Sequence, residues 1–216
     1  MNDLLTARLE QAYSGAVYDV LRGRGFANQV LPAAIRPLDP AKKLAGRVFT
    51  VEGRPGASLD AHETLLAWTE LLSRAPAGHV VICQPLDSTL SHMGELSAET
   101  LVYRGVRGYI VDGGCRDTDF ILRLGFPVFC RYTTPRDIVG RWRAERFNEP
   151  IEIGGVEIRG GDYVLADRDG AVIIPWEVAE EVIAEVERVM ATENLVRKAI
   201  LAGADPKEAY LRYGKF

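Results

Sequence analysis

Three residues of this chain have types and spacing suited to chemistry at a single site: Glu95, Arg116 and Asp117. Glu95 stands in the stretch Gly94-Glu95-Leu96, and residues 96–115, twenty in all, separate it from the adjacent Arg116-Asp117. An Asp carboxylate supplies hard oxygen ligands of the kind Mg²⁺ or Mn²⁺ prefers. An Arg guanidinium is a planar fork for a carboxylate, or for an oxygen on which negative charge develops. Backbone N–H groups at a helix start, expected here at Gly94, Glu95 and Leu96, hold an anion. Together these are the parts for binding a 2-oxo acid on a metal and stabilising its enolate. Most adjacent Arg-Asp pairs are surface ion pairs. This one follows a buried apolar run and the Gly113-Gly114 turn, the kind of place where α/β proteins present ligand sites.

The elements around the three residues explain how they would meet. Val80-Val81-Ile82-Cys83, Tyr109-Ile110-Val111 and Pro127-Val128-Phe129-Cys130 read as buried strands, and 97–104 and 118–124 as helices. The strand-helix alternation over 78–131 predicts parallel pairing in an α/β unit. A helix returns the chain to the end it came from. The loop before helix 97–104 and the loop after strand 109–111 therefore open at the same end.

Elsewhere, 3–24 has helical periodicity broken at Ser14-Gly15, with Ser14 expected to cap the second part. Residues 27–43 carry three prolines and read as irregular, with a short strand near Ile35; 45–52 alternates as a strand and 58–72 as a helix containing His62, read as a packing or interface residue. Residues 86–93 form a polar loop with Asp87, Ser88, Ser91 and His92, and 133–148 is polar without an assignable element. A hairpin is expected over 151–158 and two more strands over 160–167 and 170–174, suggesting a β-barrel or an antiparallel layer packed on the α/β unit. The tail reads as two helical segments, 178–190 and 194–202. Its aromatic end, with Tyr210, Tyr213 and Phe216, is expected to dock on its own domain or on a neighbouring subunit.

With a net charge of −4 over 216 residues, the chain gives no electrostatic case for binding nucleic acid. Arg131, Arg136, Arg141 and Arg143 form a local basic cluster that reads as solvated charges. Cys83, Cys115 and Cys130 are odd in number and lack zinc spacing, so they read as reduced thiols of a cytoplasmic protein. Cys115 has no neighbouring His to activate it and reads as a small buried apolar residue. The N-terminus lacks the pattern of a signal peptide, and no apolar run approaches the ~20 residues of a membrane span.

The Glu95 to Arg116-Asp117 spacing, with GGDYVLADRDGAVIIP at 160–175 and Leu44-Ala45-Gly46-Arg47-Val48-Phe49-Thr50-Val51, resembles the RraA-like family over nearly the whole chain. That family includes the class II 4-hydroxy-4-methyl-2-oxoglutarate and 4-carboxy-4-hydroxy-2-oxoadipate aldolases. The resemblance implies one domain over 1–216 with a swivelling-domain-like (β/β/α) core, a helical tail over 176–216, and homotrimers or homohexamers with the site between subunits. It implies that Asp117 ligates a divalent metal (Mg²⁺ or Mn²⁺), that Arg116 binds the 2-oxo oxygen, and that the Gly94, Glu95 and Leu96 amides hold the pyruvyl carboxylate. It places Glu95 near metal-bound water and assigns Glu193, from the neighbouring subunit, to ordering that water. The implied activity is cleavage of a 4-hydroxy-2-oxo acid to pyruvate, with oxaloacetate decarboxylation through the same enolate. The chain departs from the aldolase pattern at Phe120, where an acidic residue is expected (Asp119 is one earlier), and at Glu95, where some members carry Asp. The alternative is a non-catalytic regulator of ribonuclease activity acting through protein binding; an acidic residue at 193 favours the enzyme. A methyltransferase would need a glycine-rich loop for its nucleotide, which the sequence lacks.

Overall fold

Residues 3–215 are described in a computed structural model of the chain. Helices α1 (Leu4–Leu9) and α2 (Ser14–Gly23) come first, followed by the short β1 (Arg36–Pro37) and the long β2 (Leu44–Pro55). Next come α3 (Ala61–Arg74), β3 (His79–Gln84), α4 (Glu95–Tyr103), β4 (Gly108–Val111) and β5 (Gly114–Cys115). Then α5 (Thr118–Leu124), β6 (Val128–Cys130), β7 (Tyr132–Thr133) and β8 (Trp142–Phe147) follow. The pairs β9 (Ile151–Ile153) with β10 (Val156–Ile158) and β11 (Tyr163–Ala166) with β12 (Ala171–Ile174) precede the closing helices α6 (Ala179–Leu201) and α7 (Pro206–Tyr213).

Eight strands make one sheet in the order β1-β6-β4-β3-β2-β11-β12, with β8 also paired to β2. The neighbours β2, β3, β4 and β6 run parallel, as the alternation over 78–131 requires. Side chains of a strand point alternately to the two faces. Val81, Cys83, Tyr109 and Val111 accordingly pack beneath α3, α4 and α5. Val80, Ile82 and Ile110 face the other way, into a core shared with Val164 and Ala166 of β11, Ala171 and Ile173 of β12, and the β9–β10 hairpin. Strands this far apart in the sheet share a core only if the sheet curls, so it forms a half-barrel closed by the hairpin. The outer faces of β11 and β12 (Leu165, Val172, Ile174) take α1, α2 and the first half of α6. This is the helix-flanked α/β architecture expected.

Five details differ from the sequence reading. Strands β11 and β12 extend the main sheet rather than forming a separate layer; only the hairpin stands apart. The polar stretch 133–148 contains β8, whose Trp142 and Ala144 are buried while Arg143 is exposed, an alternation hidden by the charged residues around it. Pairing with β8 also lengthens β2 through a bulge at Gly53, where a Cβ would lie 2.0 Å from the Trp142 ring. Helix α6 runs unbroken through 191–193, as Ala191, Thr192 and Glu193 include no helix breaker. Ser14, lastly, is the first residue of α2 and caps nothing of its own; its N–H and Oγ–H donate to the Asp167 carboxylate at 2.8 and 2.7 Å. Phe216 lies outside the described residues.

Candidate active site

The loops leaving β3, β4 and β6 emerge at the carboxyl end of the parallel strands, where open α/β sheets bind ligands. Backbone hydrogen bonds zip them together. His92 N–H donates to Gly114 O at 2.8 Å, and Arg116 N–H to Met93 O at 2.9 Å. On the other side, β5 pairs in parallel with β7, Thr134 N–H reaches Cys115 O at 3.0 Å, and Ser91 N–H reaches Arg136 O at 2.8 Å. The three loops thus form a small platform that fixes Arg116 and Asp117 relative to Gly94 and Glu95.

The expected convergence of Glu95, Arg116 and Asp117 is present. Asp117 precedes α5 with a left-handed backbone (φ 55°, ψ 36°) and its side chain does not cap that helix. Its Oδ2 instead accepts the Glu95 N–H at 3.1 Å, at the start of α4, and lies 3.5 Å from Arg116 Nε. A left-handed conformation is tolerated by Asp better than by most residues. Gly94 makes the approach possible: a Cβ there would sit 2.7 Å from Asp117 Oδ2 and 3.2 Å from Arg116 Nε. The Glu95 amide is therefore already engaged. The Leu96 and Ser97 amides in the first turn of α4 have no acceptor among the described residues and remain available to an anion.

These residues line a cleft of about 560 Å³ with Asp137 on the loop after β7. Asp137 Oδ2 is 3.8 Å from Arg116 Nη1, and its Oδ1 takes Arg141 Nη2 at 2.5 Å. Arg116 thus lies between two carboxylates, with 40% of its side chain exposed. Beneath them His92 is fully buried, edge-on to Trp142 with ring centroids 5.0 Å apart, and neither ring nitrogen has a hydrogen-bond partner. Burial pushes its pKa down to about 4, against a weaker upward pull from Asp87, so the ring is neutral near pH 7. The opposite wall is α3, tied to α4 by the Trp68 Nε1–H bond to Ser97 Oγ at 2.9 Å.

Asp137, His92 and the α3 wall were not picked out as site residues from the sequence. One signal was available for Asp137: a third parallel strand must deliver its loop to the same end as the other two. The basic cluster is no free patch, since Arg131 pairs with Asp112, Arg141 with Asp137 and Arg143 with Glu145, while Arg136 stays exposed. His62 is exposed on α3. Cys115 is buried and its pKa is raised, chiefly through the neighbouring Cys130 thiol, which suits an inert thiol better than a nucleophile. Phe120 is outside the cleft, beneath the Arg123 guanidinium.

Glu193 is not brought to this cleft within one chain. It lies in a separate groove between α2 and α6, takes a hydrogen bond from Tyr13 OH, and is 3.6 Å from Lys215 Nζ. Burial and this contact raise the Tyr13 pKa to about 12.

The fit to a divalent cation can be judged from Asp117. One of its oxygens is used by the Glu95 amide, while Oδ1 accepts no hydrogen bond among the described residues, and 38% of the side chain is open to the cleft. No cluster of three or more His, Cys, Asp or Glu side chains forms a cage among the described residues. The donor set suits a cation held by one carboxylate and otherwise by water and substrate, as Mg²⁺ commonly is.

The Aldolase/RraA family model matches residues 14–173, about three quarters of the chain. The chain belongs to the RraA-like family. It is 29% identical over 185 residues to a Halalkalibacterium halodurans protein provisionally named 4-hydroxy-4-methyl-2-oxoglutarate aldolase, covering 84% of this chain and 83% of that one. Among solved structures, one described as from novel cellulases of gut-associated microbes is 34% identical, with a TM-score of 0.83 over 88% of this chain and 85% of that one. Streptomyces coelicolor RraAS2, described as an unusual member of the RNase ES inhibitor RraA protein family, is 25% identical with a TM-score of 0.83, covering 92% of this chain and 99% of that one. Among the described residues, no helix is long and apolar enough to cross a membrane.

Proposed function

We propose that this chain is a divalent-metal-dependent lyase that cleaves a 4-hydroxy-2-oxo acid to pyruvate and a second carbonyl compound. The observation that carries this reading is the Asp117 carboxylate, held by the Glu95 amide with one oxygen free, next to an Arg116 guanidinium open to the cleft. The aldolase name of the 29% identical relative supports it.

Asp117 would hold the cation, Mg²⁺ or Mn²⁺, which when bound withdraws charge from the 2-oxo group. The Leu96 and Ser97 amides, at the positive end of α4, bind the substrate carboxylate. Arg116 donates to the 2-oxo oxygen, where negative charge grows as the C3–C4 bond breaks. The C4 hydroxyl loses its proton as C4 becomes a carbonyl, and the enolate of pyruvate takes a proton at C3. Glu95, at the cleft rim, is the proton carrier this chain offers. Decarboxylation of oxaloacetate would pass through the same enolate. Glu193 joins the site only from another copy, so an assembly of three or six copies is part of the proposal, and Glu193 would have to leave Tyr13 to take part.

A panel of 4-hydroxy-2-oxo acids, assayed for pyruvate with Mg²⁺ and with EDTA, tests the reading. Activity is expected with Mg²⁺ and abolished by EDTA or Asp117→Ala; equal release in all three conditions would refute it. Mixing Asp117→Ala with Glu193→Gln subunits tests the shared site. Random assembly leaves about a quarter of the sites with both residues intact, so the mixture should regain about a quarter of wild-type activity while each variant alone stays inactive.

The second reading, a binding-only regulator of a ribonuclease, draws on the description of the Streptomyces relative. Under that reading Asp117→Ala leaves the inhibition of the ribonuclease unchanged and no acid of the panel is cleaved.

A further inference from the structure

We infer that the end of the substrate distal to its 2-oxo acid group is uncharged and apolar, bound against α3, rather than a second carboxylate. This rests on the lyase reading and names the substrate class within it.

The cleft is chemically one-sided. All its ionised side chains, Glu95, Arg116, Asp117 and Asp137, lie on the loop platform and the start of α4. The facing wall offers Leu65, Trp68 and Leu72 of α3, with Ile138 beside Asp137. Trp68 and Leu72 form a floor only 8% exposed, while Leu65 is 45% exposed at the mouth. Of the two polar residues this stretch of α3 adds, Thr69 and Ser73, Thr69 turns its hydroxyl back to the carbonyls of Leu65 and Leu66 at 3.0 and 2.9 Å. The wall therefore presents no cation to a carboxylate, only the Ser73 hydroxyl at its far end.

A distal carboxylate would need a cation, and none is free among the described residues of one chain. Arg116 is the one cationic side chain lining the cleft among the described residues, and it already faces Asp117 and Asp137. Arg141 is committed to Asp137 at 2.5 Å, and Arg136, although unpaired, does not line the cleft. A second substrate carboxylate would lose its water against leucine and tryptophan with no partner, which is costly. An alkyl or aryl group there would gain burial, with each added methylene in an apolar pocket worth about tenfold or more in discrimination. The volume of about 560 Å³ leaves room beyond the pyruvyl unit for such a group.

Two measurements on the full chain with Mg²⁺ test this. In calorimetry, 2-oxohexanoate should bind about tenfold or more tighter than 2-oxoglutarate. In cleavage, 4-hydroxy-2-oxohexanoate should exceed 4-hydroxy-2-oxoglutarate in kcat/KM by a similar factor, and oxaloacetate should be poor. Leu65→Ser, at the exposed mouth, should erode the preference, and Thr69→Arg, which adds a guanidinium to the wall, should reverse it. Equal or tighter binding of 2-oxoglutarate by the wild type, or an unchanged preference in both variants, would overturn the inference. The two proposals fail separately. Cleavage that favours the dicarboxylate keeps the lyase and removes the apolar subsite. Binding that favours 2-oxohexanoate, with no cleavage of either acid, keeps the subsite and removes the lyase. No binding of either acid removes both.

Discussion

Two aspartates in this molecule use the same device to different ends. Asp167, in the turn between β11 and β12, and Asp117, after β5, each accept the N–H of the first residue of a helix distant in sequence, α2 and α4 respectively. Asp167 accepts on both oxygens: Ser14 supplies its N–H and hydroxyl, and the Asp169 N–H adds a third bond at 3.0 Å. Asp117 receives one amide at 3.1 Å and keeps an oxygen in an open cleft. A carboxylate engaged through both oxygens is a structural tie, while one with an oxygen left over beside a guanidinium has room for a ligand. The contrast extends to the groups buried nearby. Asp162, behind β11, accepts the Arg159 and Trp176 amides at 2.8 and 3.1 Å, whereas His92, under the platform, has no partner.

Removing each carboxylate tests the contrast directly. Asp117→Ala should lower the rate of pyruvate release by about 10³-fold or more and leave urea denaturation nearly unchanged. A large loss of stability with normal turnover would make Asp117 a tie like Asp167. The next effect is on the acid stability of the folded chain. The folded pKa of His92, about 4, lies below its ordinary value of ~6.5. The neutral ring's contribution is therefore fully present above about pH 6.5 and lost as the pH falls towards 4, with about 3 kcal/mol at stake. Urea unfolding from pH 7 to 4 should follow this limb, and His92→Leu should flatten it; an unchanged limb would place the acid sensitivity elsewhere.

Gly94→Ala probes the closeness of the loops. The added Cβ pushes on Asp117 Oδ2 and Arg116 at once, and a displacement of about 1 Å at a reacting group costs about 10²-fold in rate. Turnover should fall by that factor with little change in unfolding midpoint. The smallest effect belongs to Asp167→Ala, which frees the start of α2 and should cost about 1–2 kcal/mol of stability while kcat stays within about twofold of wild type. Loss of catalysis in that variant would show that the two ends of the sheet are coupled.

The sequence carried the parallel unit well because its apolar runs are short, β-branched and punctuated by glycine, and such strands are buried on both faces. It did not reveal β8, where Trp142 and Ala144 alternate with charged residues in a stretch too polar overall to read as a strand. Ser14 departs from its expected capping role for a different reason. A cap is a local signal when the helix supplies it, and here the acceptor comes from Asp167, more than a hundred residues away.

By itself the sequence determined at which end of the parallel unit Glu95, Arg116 and Asp117 emerge, because strand-helix alternation dictates the direction of every crossover. That alternation places the loops carrying Glu95, Arg116 and Asp117 at one edge. The tertiary structure decided the rest. It took the Glu95 amide for Asp117 and left the Leu96 and Ser97 amides free. It brought Asp137 to Arg116, set the apolar wall of α3 across the cleft and kept Glu193 in another groove. These outcomes depend on which side chains fill one another's hydrogen-bonding and packing capacity across the fold. That competition among distant groups leaves no periodic trace in the chain.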